Sequence, residues 1–65
     1  MIKTNELRGI IAKNGLSQAQ VAEFLGISAK TFYAKMKKGV FLSSEIEKMV
    51  SLLKIDNPTD IFFAN

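Results

Sequence analysis

The sequence predicts an all-α fold, a compact four- to five-helix bundle around one core. Three observations predict it. Apolar residues recur at helical spacing, as in Leu7, Ile10 and Ile11 and again in Ile46, Met49, Val50 and Leu53. Serine start signals and glycine stop signals punctuate these stripes. No strand-like alternation occurs anywhere. The 65 residues are expected to form a single domain spanning positions 1–65. A chain this short buries only about 60% of the surface its unfolded form exposes, so most of its apolar residues must share one core.

The first helix is expected from about Asn5 to Asn14, with Thr4 as its cap and Asn14-Gly15 as its stop. Gly9 weakens it by up to about 1 kcal/mol relative to alanine. The second helix carries the fullest set of signals. Ser17 and Gln20 form a capping box, and Leu16 and Val21 a hydrophobic staple around it. Val21, Phe24 and Leu25 make its apolar face, with Ala22 as a small neighbour. Gly26 ends it. The third helix repeats the same logic: Ile27 and Phe32 staple the cap Ser28, Phe32 and Met36 share the inner face, and Gly39 ends it. The fourth covers about Ser44 to Lys54. Its start is either a Ser44–Glu47 capping box or a Phe41–Ile46 staple around Leu42. Asn57-Pro58-x-Asp60 opens a short last helix, with Pro58 at its first position and Asp60 near its positive end.

Composition narrows the function. Without cysteine there is no disulfide or thiolate zinc site, and without histidine the commonest general base and metal ligand are missing. No glycine-rich phosphate loop occurs. Glu45 and Glu47, two apart at a helix start, do not face each other, and the serines read as caps. An enzyme is therefore not expected, nor is a cofactor or metal. No apolar run approaches the roughly 18 residues of a membrane span, and the N-terminus lacks a signal-peptide h-region, so a cytoplasmic location is expected. Met1 and a capped final helix lead to the expectation of a complete chain. No second domain is expected, and regulation would then act through concentration or a partner.

The net charge of +3 is unevenly spread. Between Phe24 and Ser44 stand Lys30, Lys35, Lys37 and Lys38 without an acid, while the remainder is close to neutral. A basic stripe on a neutral domain is the footprint of a nucleic-acid surface; a merely solvated lysine face is the plainer alternative. Only Gly26-Ile27-Ser28 separates the second and third helices, which makes positions 17 to 38 a helix-turn-helix. Gly26 supplies the left-handed residue of the turn, Ile27 plugs it into the core, and Ser28 caps the lysine-bearing helix.

The stretch SQAQVAEFLGISAKTFYAKMKKG, followed by FLSSEIEKMVSLLKI and DNPTDIFF, resembles the lambda-repressor-like helix-turn-helix domains of phage repressor and Cro proteins. The S-Q-x-x-V-A-x-x-L-G-I-S core is its most specific part. The likeness extends from about Leu7 to Phe63. It implies a small sequence-specific DNA-binding regulator carried by a phage or prophage. Two features depart from the pattern. Lys35 stands where many members have an apolar residue, with Met36 apolar instead, and one extra residue precedes Gly39. The end of the recognition helix is therefore expected to run differently.

A recognition helix places its first residues against base edges in the major groove. Ala29, Lys30 and Tyr33 are the leading base-contact candidates, with Ala34 further along. Lysine donates to guanine O6 and N7, and alanine touches a thymine methyl. The resemblance implies base-reading roles at Ala29, Lys30 and Ala34 and a phosphate anchor at Gln18. Two alanines among the readers imply a readout leaning on methyl contacts and DNA shape. Gln18 also starts a helix whose free N–H groups favour an anion; its alternative is plain solvation. Thr31 donates to a phosphate or caps locally. Lys35, Lys37 and Lys38 are phosphate candidates or simply solubilising lysines. Tyr33 could instead bury its ring in the core. The phenylalanines fall on the inward stripes and read as core. Phe62 and Phe63, at the chain end, are difficult to bury together; a homodimer on DNA would cover one, while packing on the first and fourth helices would bury both. The expected partner is double-stranded operator DNA, with no small-molecule ligand. The competing reading is a protein-binding helical module, an antirepressor or assembly factor, which would show a contiguous apolar patch on the third helix.

Overall fold

The structure, a computed structural model, describes residues 2–63. Five helices follow in order: α1 (Thr4–Lys13), α2 (Gln18–Leu25), α3 (Ala29–Lys38), α4 (Ser43–Leu53) and α5 (Pro58–Phe62). Among the described residues there is no strand. One core gathers Leu7 and Ile11 of α1, Val21, Ala22 and Leu25 of α2, Phe32 and Met36 of α3, Ile46, Met49 and Leu53 of α4, and Ile61 and Phe62 of α5. Ile2, Phe41 and Ile55 fill in from the connections. Phe32 and Phe41 meet with ring centroids 5.5 Å apart and planes tilted by 54°, one of the favoured aromatic geometries.

The helix starts are locally encoded in α2 and α3. The Ser17 hydroxyl accepts the Gln20 N–H at 3.1 Å, and the Gln20 side chain accepts the Ser17 N–H at 2.8 Å. Ser28 accepts the Thr31 N–H at 3.1 Å. Leu16 and Ile27, preceding the two caps, both pack against the core, as staples require. Two starts differ from expectation. Thr4 is the first residue of α1 and not its cap, because the Lys3 carbonyl already accepts the Leu7 N–H at 3.0 Å. Lys3 is itself fixed by its N–H donating to the Ile61 carbonyl at 2.8 Å, which ties α1 to α5. The second difference is at α4, which begins at Ser43 after Leu42, so the Ser44–Glu47 box does not form. Leucine offers no side-chain acceptor. The Glu45 carboxylate serves instead, accepting the Leu42 N–H at 2.8 Å, with Phe41 and Ile46 both buried on either side of the start.

The helix ends share one device. After α1, α2, α3 and α4 a left-handed residue reverses the chain, and the following N–H reaches back to a carbonyl five residues earlier: Leu16 to Ile11, Ile27 to Ala22, Val40 to Lys35 and Ile55 to Val50. Glycine fills the left-handed position three times; Lys54, at φ 53°, fills it the fourth time. Asn14 adds a cross-tie, its amide donating to the Ile10 carbonyl at 2.8 Å and the Leu53 carbonyl at 3.3 Å.

One ion pair joins α3 to α4. The Lys35 ammonium lies 2.8 Å from both oxygens of Glu45. Among the described residues Glu45 is the charged residue buried with the core, its side chain 8% exposed against 25% for Lys35. Burial pushes the Glu45 carboxyl upward, but the Lys35 hydrogen bond, the Leu42 N–H and the charges of Lys35 and Lys48 outweigh it, leaving its pKa below the ordinary value.

Gly26 sits at φ 79° with open space where a Cβ would point, so Gly26→Val pays backbone strain alone and loses about 2–3 kcal/mol in urea unfolding. Lys54→Gly relieves the same strain and gains about 1 kcal/mol in that assay. Glu45→Gln costs about 2 kcal/mol at neutral pH. Because the folded carboxyl titrates below its unfolded value, the pair's contribution is complete above the unfolded pKa of about 4.3 and is lost as pH falls through the folded one. Thermal melts between pH 6 and pH 3 therefore show a steeper loss for the parent chain than for Glu45→Gln.

Candidate nucleic-acid interface

The turn Gly26-Ile27-Ser28 joins α2 to α3 so tightly that the start of α3 is fixed by α2. Ala22 is buried, and the Ile27 N–H donates to its carbonyl at 3.0 Å. The small Ala22 side chain lets the two helices approach, and α2 and α3 form the most extensive helix–helix contact of the described chain. With Phe32 and Met36 inserted into the core, the opposite side of α3 faces solvent.

On that outer side Lys30, Ala34 and Lys37 follow one another at i, i+4 and i+7, and all three are exposed. Tyr33 lies beside them at 50% exposure, outside the core that was its alternative. Ala29 is half-buried at the first position of α3. Ten residues make α3 about 15 Å long, and a major groove about 12 Å wide admits a helix of this kind. The helix runs without a break to Lys38. Lys37 and Lys38 are exposed at its end.

The remaining sequence candidates fall around this face. Gln18 is half-buried at the first position of α2. Thr31 is exposed, and its Oγ1 accepts the Ser28 hydroxyl at 2.9 Å, so it takes part in the cap while its own O–H stays free to donate. Neither α2 nor α3 has an acid in its first turn, so the positive end of each helix dipole is left unneutralised by its own side chains. A cleft of about 400 Å³ borders the outer face, with Ala34, Val40, Phe41 and Leu42 as its apolar lining and Lys30 and Lys38 among its basic lining.

Several expectations are corrected. Lys35, expected among the open phosphate candidates, has its ammonium bound to Glu45. Phe62 is buried and cannot lie on a dimer surface; Phe63, 59% exposed, can. Phe24 is 52% exposed and does not belong to the apolar face of α2. That face is narrower than the periodicity implies and consists of Val21, Ala22 and Leu25. The exposure of Val40 and Leu42 was missed from the sequence. Among the described residues no group of three His, Cys, Asp or Glu side chains could hold a metal ion, and no helix is long and apolar enough to cross a membrane.

The family model for bacterial regulatory proteins of the Fis family matches residues 6–39. The matched segment runs through α1, the capped α2, the turn and α3 to its closing glycine. No curated protein and no solved structure matches the chain. The family match and the geometry agree on a helix-turn-helix DNA-binding domain but do not extend to the repressor and Cro proteins that the sequence resembles. The match covers more than half of the chain, and the chain accordingly belongs to the Fis family of bacterial regulatory proteins.

Proposed function

We propose that this protein is a sequence-specific double-stranded DNA-binding transcriptional regulator of the phage or prophage repressor and Cro type, its single domain reading the major groove with α3. The observation that carries the reading is the outer face of α3, which presents Lys30, Tyr33, Ala34 and Lys37 without an acid while Phe32 and Met36 lock the opposite face into the core. Ala29, Lys30, Tyr33 and Ala34 take the base edges. Lys30 donates to guanine, and the alanines meet thymine methyls. Gln18, Thr31, Lys37 and Lys38 hold phosphates on either side and set the register. Two copies bind half-sites about one DNA turn apart, with Phe63 at the contact between them. The regulator works in the cytoplasm, on the nucleoid of a bacterial or phage-infected cell.

A protein-binding module is the second reading, and the exposure of Val40 and Leu42 beside Ala34 favours it. The basic side chains of the same cleft weigh the other way, since a dedicated apolar docking face is depleted of lysine.

Fluorescence anisotropy separates the two readings. The probes are the intergenic duplex beside the protein's own gene and a scrambled duplex of equal length, each at two salt concentrations. Tight binding to the first, weaker binding to the second and a steep loss with salt are expected. Lys30→Glu keeps the helical circular dichroism of the parent and loses at least the roughly 1–3 kcal/mol of one base contact. Absence of binding to both duplexes at low salt contradicts the DNA reading and transfers support to a protein partner.

A further inference from the structure

Four lysines lie on α3, yet they are not equivalent. Lys30, Lys37 and Lys38 are exposed. Lys35 is drawn toward α4, where its ammonium meets both Glu45 oxygens at 2.8 Å and only 25% of its side chain remains accessible. The carboxylate is in turn held by the Leu42 N–H at 2.8 Å, so the start of α4 anchors it independently of the lysine. A stapling role alone would be served as well by an apolar pair, since replacing buried ion pairs with packed hydrophobic residues is often neutral or stabilising. What the ion pair does in addition is remove one positive charge from a helix dense in them.

That removal matters for a protein that reads DNA. Each lysine that reaches a phosphate adds sequence-independent affinity, which lowers the ratio of specific to non-specific binding. We propose that Glu45 is a specificity-setting positioning residue that holds the Lys35 ammonium against α4 and so withholds one lysine of α3 from the DNA backbone. The proposal rests on the DNA-binding reading given above. It assigns a role to an acidic residue outside α3, and it makes Lys35 a reserve cation of the interface.

The test uses three variants of the full chain: Glu45→Gln, Lys35→Gln and the double variant. Glutamine retains a carbonyl acceptor for the Leu42 N–H, and circular dichroism checks that each variant stays helical. Affinity for the scrambled duplex is measured by anisotropy from 50 to 200 mM salt. Glu45→Gln is expected to steepen the slope of log K against log salt by about 0.9, one added phosphate contact, which is about 3.5-fold more affinity lost over that range. Lys35→Gln keeps the parent slope, and the double variant returns to it. A purely stapling ion pair would not produce this pattern. An unchanged slope in Glu45→Gln overturns the proposal, as does a flatter slope in Lys35→Gln, which would mean that Lys35 already contacts phosphate. Acylation of lysines by an amine-reactive ester, read by mass spectrometry without DNA, gives an independent check. Lys35 reacts more slowly than Lys30, Lys37 and Lys38 and gains reactivity in Glu45→Gln; equal rates in the parent chain overturn the proposal. Salt-independent or absent binding by the parent chain would overturn the DNA reading and this proposal together, whereas a normal parent slope with unresponsive variants overturns this proposal alone.

Discussion

The insertion of Phe32 into the core is the contact on which the remaining architecture depends. Its side chain is fully buried and packs against the ring of Phe41. With Met36 one turn later it fixes the rotation of α3 about its own axis. A rotation by one residue, about 100°, would carry Lys30 or Tyr33 from the solvent side toward the core. The chain prevents this at both ends of the helix. Ser28 caps the start, Ile27 seals the turn, and Gly39 reverses the chain after Lys38. Rigidity is worth more here than area, because base contacts discriminate only when donor and acceptor stay in register.

The supporting helices serve that same end. Lys3 ties the start of α1 to α5, Asn14 ties its end to α4, and Glu45 ties α4 back to α3. The ties link α5, α1, α4 and α3 in turn around a core too small to be stable in pieces. The family match ends at residue 39, yet Phe41, Ile46, Met49, Leu53, Ile61 and Phe62 beyond it complete the core. The matched segment supplies α3 and its turn, and the segment after it supplies much of the apolar surface that holds α3 in place.

Local signals were legible and tertiary ones were not. Ser17 with Gln20, and Ser28 with Phe32, could be read because caps and staples depend on residues three to five positions apart. The turn at Gly26 could be read for the same reason. The Lys35–Glu45 pair spans ten positions and depends on where α4 crosses α3, which no short pattern encodes. Phe24 carries the period of an inward residue, but α2 is short and presents only the face of Val21, Ala22 and Leu25. Lys54 occupies a position that glycine fills after the other three helices, so its left-handed backbone gave no signal in composition. On α3, the exposed line of Lys30, Ala34 and Lys37 was accessible from periodicity alone. The turning of Lys35 toward Glu45 was not.

The most direct test of the account is an amide NMR titration of the full chain with a duplex that it binds tightly. Shift changes are expected to concentrate at the start of α2 and along the outer side of α3, strongest at Lys30, Tyr33 and Ala34, with small changes at the core positions Phe32 and Met36. Changes centred on α4 and α5 around Phe63, with α3 left unperturbed, would contradict it.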